Sequence, residues 1–176
     1  MVKISEYLIP LAIEKKENAE ISTPWNIRKE MLDTIDPSFW SNKSNRVFEP
    51  CCGKGGFVFD VYLRFLEGLQ SEIPDLEERK RWIVENCVFF GDINSLNVFI
   101  TRLLLDPEDK YFLQYYIGDT LQLNPLTYFN ISHIDLTIGN PPYSTDPSQQ
   151  NTTALYNLFT EKYISSKMLK YVKGFN

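Results

Sequence analysis

The chain has few of the residues that build metal sites and disulfide frameworks. Its 176 residues include one histidine, His133, and three cysteines, of which Cys51 and Cys52 are adjacent while Cys87 stands apart. These residues lack the spacing of metal ligands, and adjacent cysteines rarely form a structural bridge. We therefore expect no metal site and free thiols, as in a reducing compartment.

Long apolar runs are also missing from the sequence. No run approaches the roughly 20 residues that a membrane-spanning helix needs. The first residues contain no basic stretch followed by an apolar segment and a cleavage site, so no secretion signal is recognised. The expectation is a cytoplasmic protein with no membrane partner.

An excess of positive charge is absent as well, since the formal net charge is −5. A protein that binds duplex DNA alone usually presents a basic face, because neutralising phosphates supplies much of the affinity. Basic residues concentrate only near the end, where Lys162, Lys167, Lys170 and Lys173 follow Glu161, the last acidic residue. Such a run is typical of a solvated helix face, so the composition does not favour unaided DNA binding.

The remaining composition is that of a globular domain. The chain is 43% hydrophobic and 23% charged, and its length suits a single core. We expect residues 1–40 to form an N-terminal helical segment and residues 41–176 to form an α/β domain.

The most informative stretch is residues 134–143, IDLTIGNPPY. It is typical of a buried strand that ends abruptly, because Pro141 and Pro142 lack the donors that a sheet ladder needs. Ligands bind at the carboxyl ends of strands in open α/β sheets. There Asn140 offers acceptors for an amino group, and the Tyr143 ring can stack on a nucleobase. The plainer alternative is a rigid turn after a core strand.

A strand over residues 46–49 leads into the glycine turn (residues 50–56, PCCGKGG) and then into a helical pattern over residues 57–69. This order brings backbone amides and a helix N-terminus close to a ligand. The turn has neither the phosphate-binding GxxxxGK[ST] spacing nor the dinucleotide GxGxxG spacing.

Further strands are predicted over residues 87–92, ending at Asp92, over residues 115–117, followed by Asp119, and over residues 134–138. Helices are predicted over residues 1–20, 24–35, 74–86, 94–105, 124–129 and 154–171. Thr23 is the expected N-cap of the helix over residues 24–35. Loops with acidic or glycine-rich sequences after successive strands predict a doubly wound α/β sheet that binds a nucleoside.

Together these motifs resemble the class I, S-adenosylmethionine-dependent methyltransferases, and among them the DNA adenine-N6 methyltransferases of restriction-modification systems. Residues 48–57, FEPCCGKGGF, resemble their first motif, [DE]-P-x-x-G-x-G-x-F, and residues 22–24, STP, resemble their upstream Thr-Pro. Residues 91–94, GDIN, resemble the ribose motif, and residues 118–119, GD, resemble the motif that meets the cofactor adenine. Residues 140–143 match the catalytic NPPY.

The resemblance implies a cofactor, S-adenosyl-L-methionine, and a contact for each motif. Asp92 would hold the ribose hydroxyls, Ile93 would pack on the adenine ring, and Asp119 would accept from the adenine amine. The full implied cofactor set is Thr23, Pro24, Glu49, Pro50, Gly53, Gly55, Phe57, Asp92, Ile93, Asp119 and Asn140.

The implied catalytic set is Asn140, Pro141, Pro142 and Tyr143. Asn140 and the carbonyl of Pro141 would accept from the target amine, and Tyr143 would stack on an adenine flipped out of DNA. No metal takes part in this chemistry.

The sequence departs from the family pattern in its length, since 33 residues follow the NPPY motif. We expect only about four strands, in spatial order 3-2-1-4 with one edge open, as in a chain truncated after the catalytic motif. A second chain would then supply the missing strands and the target-recognition region. The alternatives left open are a protein or RNA amine methyltransferase and a non-catalytic cofactor-binding fragment or subunit of a split enzyme.

Overall fold

The computed structural model describes residues 22–141, 155–165 and 171–173. The predicted helix over residues 1–20, together with Pro142 and Tyr143, lies outside the described residues. The helices, in chain order, are α1 (Trp25–Asp33), α2 (Pro37–Trp40), α3 (Gly56–Gly68), α4 (Leu76–Trp82), α5 (Ser95–Leu105), α6 (Pro125–Tyr128) and α7 (Leu155–Ser165). The strands are β1 (Val47–Glu49), β2 (Val88–Asp92), β3 (Gln114–Ile117), β4 (Leu136–Ile138) and β5 (Tyr171–Lys173). None of the helices in the described ranges combines the length and apolar character that a bilayer span requires.

All strands pair in parallel, in the order β3-β2-β1-β4-β5. The four predicted strands and their order are confirmed. The fifth strand was not predicted, and the helix expected over residues 154–171 ends at Ser165. Because β5 pairs with β4, the edge beside β4 is not open as expected. A three-residue strand is too short to show an alternating pattern in the sequence.

Helices cover both faces of the sheet, as in a doubly wound fold. Successive strand residues point to opposite faces, so Val47 joins a core cluster with α1, α3 and α5, whereas Phe48 joins a second cluster. In that second cluster the ring of Phe48 meets Phe129 and Tyr163, with centroids 6.0 and 5.7 Å away. Strands β1, β2 and β4 are therefore buried on both faces, and the loops at the strand ends remain accessible.

Two helix boundaries differ from the predicted ones. Pro24 rather than Thr23 is the N-cap of α1, because its ψ of 147° is extended and the helix begins at Trp25. The predicted helix over residues 74–86 divides into α4, capped by Asp75, and a π-helical turn (Ile83–Cys87) that leads into β2.

Candidate active site

The loops after β1, β2 and β3 are hydrogen-bonded to one another at the carboxyl edge of the sheet. The amide of Cys52 donates to the carbonyl of Gly91 at 2.9 Å, and the amide of Gly118 donates to the carbonyl of Asp92 at 2.9 Å. The Thr120 hydroxyl donates to the carbonyl of Pro50 at 2.9 Å. Parallel strands end at one edge, so motifs far apart in sequence form one surface.

The loop after β4 reaches the same place. A Cβ built on Gly139 would lie 3.5 Å from Cγ of Glu49, which makes Gly139 a close neighbour of the last residue of β1. Asn140 and Pro141 follow directly and are partly exposed. The first half of the NPPY motif therefore adjoins the glycine turn.

The glycine turn needs glycine for steric reasons at Gly55. Its φ is 82°, a left-handed conformation that side chains disfavour. A Cβ there would also lie 2.7 Å from Oγ1 of Thr101 on α5. The turn thus packs directly on α5 with no room for a side chain.

Glu49 is a buried carboxylate with an unused acceptor. Its side chain accepts from the backbone amide of Val58, but its Oε2 atom is buried and has no hydrogen-bond partner among the residues described. Burial raises the pKa of Glu49 well above its ordinary value, Arg28 opposes the rise, and Asp92 and Asp60 add to it. A buried acceptor without a partner is costly, so this atom suits a cationic or amine donor from a ligand.

Asp92 has a structural role that the sequence did not reveal. Its Oδ2 accepts from the amide of Gly53 at 2.8 Å, and its Oδ1 accepts from the amide of Asn94 at 2.8 Å. Burial raises the pKa of Asp92, and these hydrogen bonds oppose the rise. The carboxylate therefore fastens the glycine turn to β2. Each carboxylate oxygen can accept more than one hydrogen bond, so a ribose hydroxyl is compatible with this arrangement.

The side chains predicted to meet an adenine ring are accessible. Ile93 is 69% exposed although it is apolar. Asp119 is exposed, and its Oδ1 accepts from the amide of Leu121 at 2.9 Å, which shapes the turn after β3. An exposed apolar surface and an exposed carboxylate thus flank the same edge.

The acidic residues at this edge all act on the thiol of Cys51. Burial raises the pKa of Cys51 well above its ordinary value, and the negative charges of Asp92, Glu49 and Asp119 raise it further. The thiol is therefore protonated at neutral pH. All three cysteines are free, and in the described residues no three potential metal ligands are clustered.

Two residues of the predicted cofactor set lie behind the turn rather than at its surface. Phe57 is 3% exposed and belongs to the hydrophobic core. Pro50 is buried, and its carbonyl is occupied by Thr120. These two residues support the turn, in which Gly53 and Gly56 are partly exposed and Gly55 is buried.

Arg28 is a site residue that the sequence analysis missed. It is 7% exposed, donates to the carbonyl of Thr23 at 2.6 Å and forms an ion pair with Asp60 at 2.6 Å. The available signal was a charged residue between the apolar Ile27 and Met31 on α1. Arg28 connects Thr23 to α3 and so brings the Thr-Pro segment (Thr23 and Pro24) to the glycine turn.

Comparison with known proteins places this arrangement in a family. The sequence profile of the N-6 DNA Methylase family matches residues 1–168. An uncharacterized adenine-specific methylase from Mycoplasma pneumoniae is 34% identical over 96 residues, which is 53% of this chain and 23% of that protein.

Solved structures share the fold. One is the modification subunit of a proposed type I restriction enzyme from Vibrio vulnificus YJ016, with a TM-score of 0.56 and 21% identity over 86% of this chain and 32% of that one. Another is a proposed class I S-adenosylmethionine-dependent methyltransferase from Listeria monocytogenes, with a TM-score of 0.52 and 15% identity over 90% of this chain and 48% of that one. The chain thus spans less than half of each of these relatives. Its fold is that of the class I methyltransferases, and the chain belongs to the N-6 DNA Methylase family.

Proposed function

We propose that this chain forms the cofactor-binding and catalytic part of an enzyme that transfers a methyl group from S-adenosylmethionine to the N6 amine of adenine in DNA. The observation that carries the proposal is the contact of Gly139 with Glu49, because it brings the start of the NPPY motif beside the cofactor motifs. Membership of the N-6 DNA Methylase family supports the reaction class.

The residues at the carboxyl edge fit the charged and apolar parts of S-adenosylmethionine, which supplies an activated methyl group on a sulfonium. Oε2 of Glu49 would accept from the amino group of the methionine part, and the glycine turn would shape the pocket around it. Asp92 would accept from ribose, Asp119 from the adenine amine, and the exposed Ile93 would pack on the adenine ring. The Thr-Pro segment would close over the methionine part.

The chemistry requires a better nucleophile than a free aromatic amine, whose lone pair is delocalised into the ring. Asn140 and the carbonyl of Pro141 would accept from this amine, draw its nitrogen towards tetrahedral geometry and align it with the methyl group. Pro141 and Pro142 would hold the backbone rigid, and Tyr143 would stack on the extruded base.

The DNA and a second chain are partners in this proposal. A chain of net charge −5 has little attraction for phosphates, so target recognition and most DNA affinity would come from another chain or segment. The name of the Vibrio vulnificus protein, a modification subunit, supports such a division of labour.

Single-turnover methyl transfer from labelled S-adenosylmethionine to DNA, RNA and protein tests the proposal. We expect DNA to be labelled on adenine N6, and Asn140→Ala to lower the rate by roughly a hundredfold with little loss of cofactor binding. Tyr143→Phe should be nearly silent, whereas Tyr143→Ala should lose about 1–3 kcal/mol of stacking stabilisation.

Gln70→Ala is the matched control, since it removes an exposed amide just beyond the far end of α3. Labelling of RNA or protein in place of DNA would show that the proposed DNA substrate is wrong and that the enzyme methylates RNA or protein. Binding of cofactor with no transfer, in the presence of the partner chain, would favour a non-catalytic subunit.

A further inference from the structure

Arg28 joins three segments at the glycine turn. Its Nη1 donates to the carbonyl of Thr23 at 2.6 Å, and its Nε donates to Oδ2 of Asp60 on α3 at 2.6 Å. The guanidinium also packs on the turn, since a Cβ built on Gly56 would lie 3.0 Å from its Cζ atom. Arg28 thus fastens the Thr-Pro segment to the start of α3.

The same guanidinium lies near the buried carboxylate of Glu49, because both contact the start of α3, where Arg28 packs on Gly56 and Glu49 accepts from the amide of Val58. The charged groups that act on Glu49 are Arg28 on α1, Asp60 on α3 and Asp92 on β2, and Arg28 is the cation among them. The thiols of Cys51 and Cys52 lie beside the same carboxylate. Two acids, Asp92 and Asp60, also act on Glu49, and Arg28 is the charged group among these three that favours its ionised form.

We propose that Arg28 is a positioning residue of the cofactor site, which holds the Thr-Pro segment against the glycine turn and places a positive charge beside the Glu49 carboxylate. The inference rests on the proposed function, because the bound ligand is the amino-acid part of S-adenosylmethionine. Arg28 acts through Glu49 and Thr23 and is not assigned a contact with the reacting atoms.

The proposal has a consequence for the pH dependence of cofactor binding. The ionised carboxylate of Glu49 accepts a charge-assisted hydrogen bond from the ligand's ammonium group, which is stronger than the bond that a protonated carboxyl accepts. Arg28 lowers the pKa of Glu49 against the effect of burial, so removing Arg28 raises that pKa further. At a given pH below the raised pKa, less Glu49 is then charged and the ligand binds more weakly.

The test is calorimetric measurement of the S-adenosylmethionine dissociation constant from pH 5.5 to 8.5. Arg28→Met should weaken binding most at the acidic end of this range, by up to about tenfold for each unit by which the pKa of Glu49 rises, and its pH curve should be displaced to higher pH. Arg28→Lys should restore the wild-type curve position but leave a pH-independent loss, because lysine keeps the charge and lacks the planar fork. In a Glu49→Gln background, Arg28→Met should no longer displace the pH curve.

A second readout needs no cofactor: carbon NMR of the Glu49 side-chain carboxyl should give a higher pKa in Arg28→Met than in wild type. Both measurements are repeated on the double variant Arg28→Met/Asp60→Asn, because in this variant the Asp60 carboxylate is not left without its cation. Arg64→Met is the control, because Arg64 also bridges α3 to α1, through Asp33, but is more exposed.

If the wild type binds S-adenosylmethionine and the Arg28 variants match its affinity and pH curve, the inference is wrong while the proposed function stands. An unchanged NMR titration of Glu49 in Arg28→Met would also overturn it. Failure of the wild type to bind the cofactor would overturn the proposed function and this inference together.

Discussion

Glu49 carries a free-energy penalty in the protein without ligand. It is 4% exposed and one of its oxygens has no partner within the described residues. Its pKa is raised well above the ordinary value of 4.5 by burial. A buried group of this kind is typical of a binding site, where a residue that lowers the stability of the ligand-free protein provides a contact for the ligand.

We predict that Glu49→Gln stabilises the ligand-free protein at neutral pH by about 1–3 kcal/mol, the range for a buried unsatisfied group. The folded pKa of Glu49 lies above the unfolded one, so the folded state binds the proton more tightly. Wild-type stability therefore falls as pH rises from about 4.5 through the folded pKa. The advantage of the glutamine should disappear at pH values below 4.5, where Glu49 is protonated in both states.

Urea unfolding at a series of pH values measures this difference. Glu67→Gln is the control, because Glu67 is an exposed acid on α3. Equal stability of wild type and Glu49→Gln at pH 7.5 would contradict the prediction.

At the scale of elements, α7 supports the loop that carries Asp119. The Tyr163 hydroxyl donates to the carbonyl of Thr120 at 2.8 Å, and Lys162 donates to the carbonyl of Leu121. Since Thr120 in turn donates to Pro50, α7 is linked through this loop to the glycine turn. Phe159 and Tyr163 are buried, whereas Leu158 is 39% exposed.

We predict that Tyr163→Phe lowers the free energy of unfolding by about 0.5–1.5 kcal/mol, the net value of one hydrogen bond. The ring keeps its contacts with Phe48 and Phe159, so only the hydroxyl is lost. Denaturant unfolding measures the change, with Tyr128→Phe as a control at a tyrosine that is 55% exposed. A loss no larger than the control's would show that the hydrogen bond contributes nothing.

At the scale of the whole molecule, the loops of four strands meet at one edge, so a ligand bound there contacts segments from most of the fold. The sheet edges are β3 and β5. Among the described residues, the open edge that we expected beside β4 therefore lies one strand further, at β5.

We predict that S-adenosylmethionine at a hundred times its dissociation constant stabilises the entire domain by about 2.7 kcal/mol, by mass action on the folded state. The thermal midpoint should rise with ligand concentration in a single transition. Asp119→Ala should need more ligand for the same rise, because an acceptor for the adenine amine is lost. A midpoint that does not respond to saturating ligand would contradict the proposed cofactor.

Local patterns in the sequence predicted the positions of the four strands and of the motifs, and the resemblance to the class I methyltransferases implied the order of the strands. Strands β1, β2 and β4 are rich in apolar residues because they are buried on both faces, and the residues that follow the strands carry the motifs. The parallel α/β arrangement then requires these loops to meet at one edge. The division at residue 40 and the roles of the site residues stay predictions.

Tertiary structure alone decided which polar side chains occupy the interior. Arg28 and Asp60 lie 32 positions apart, and no local pattern links a cation on one helix to an acid on another. The carboxylate of Asp92 is shared with the glycine turn for the same reason, since one of its donors, the amide of Gly53, comes from another loop. Strand β5 depends on pairing with β4 rather than on its own three residues. Long-range contacts of this kind form only when the chain packs. Local sequence patterns therefore identify the residues but not which residues they contact.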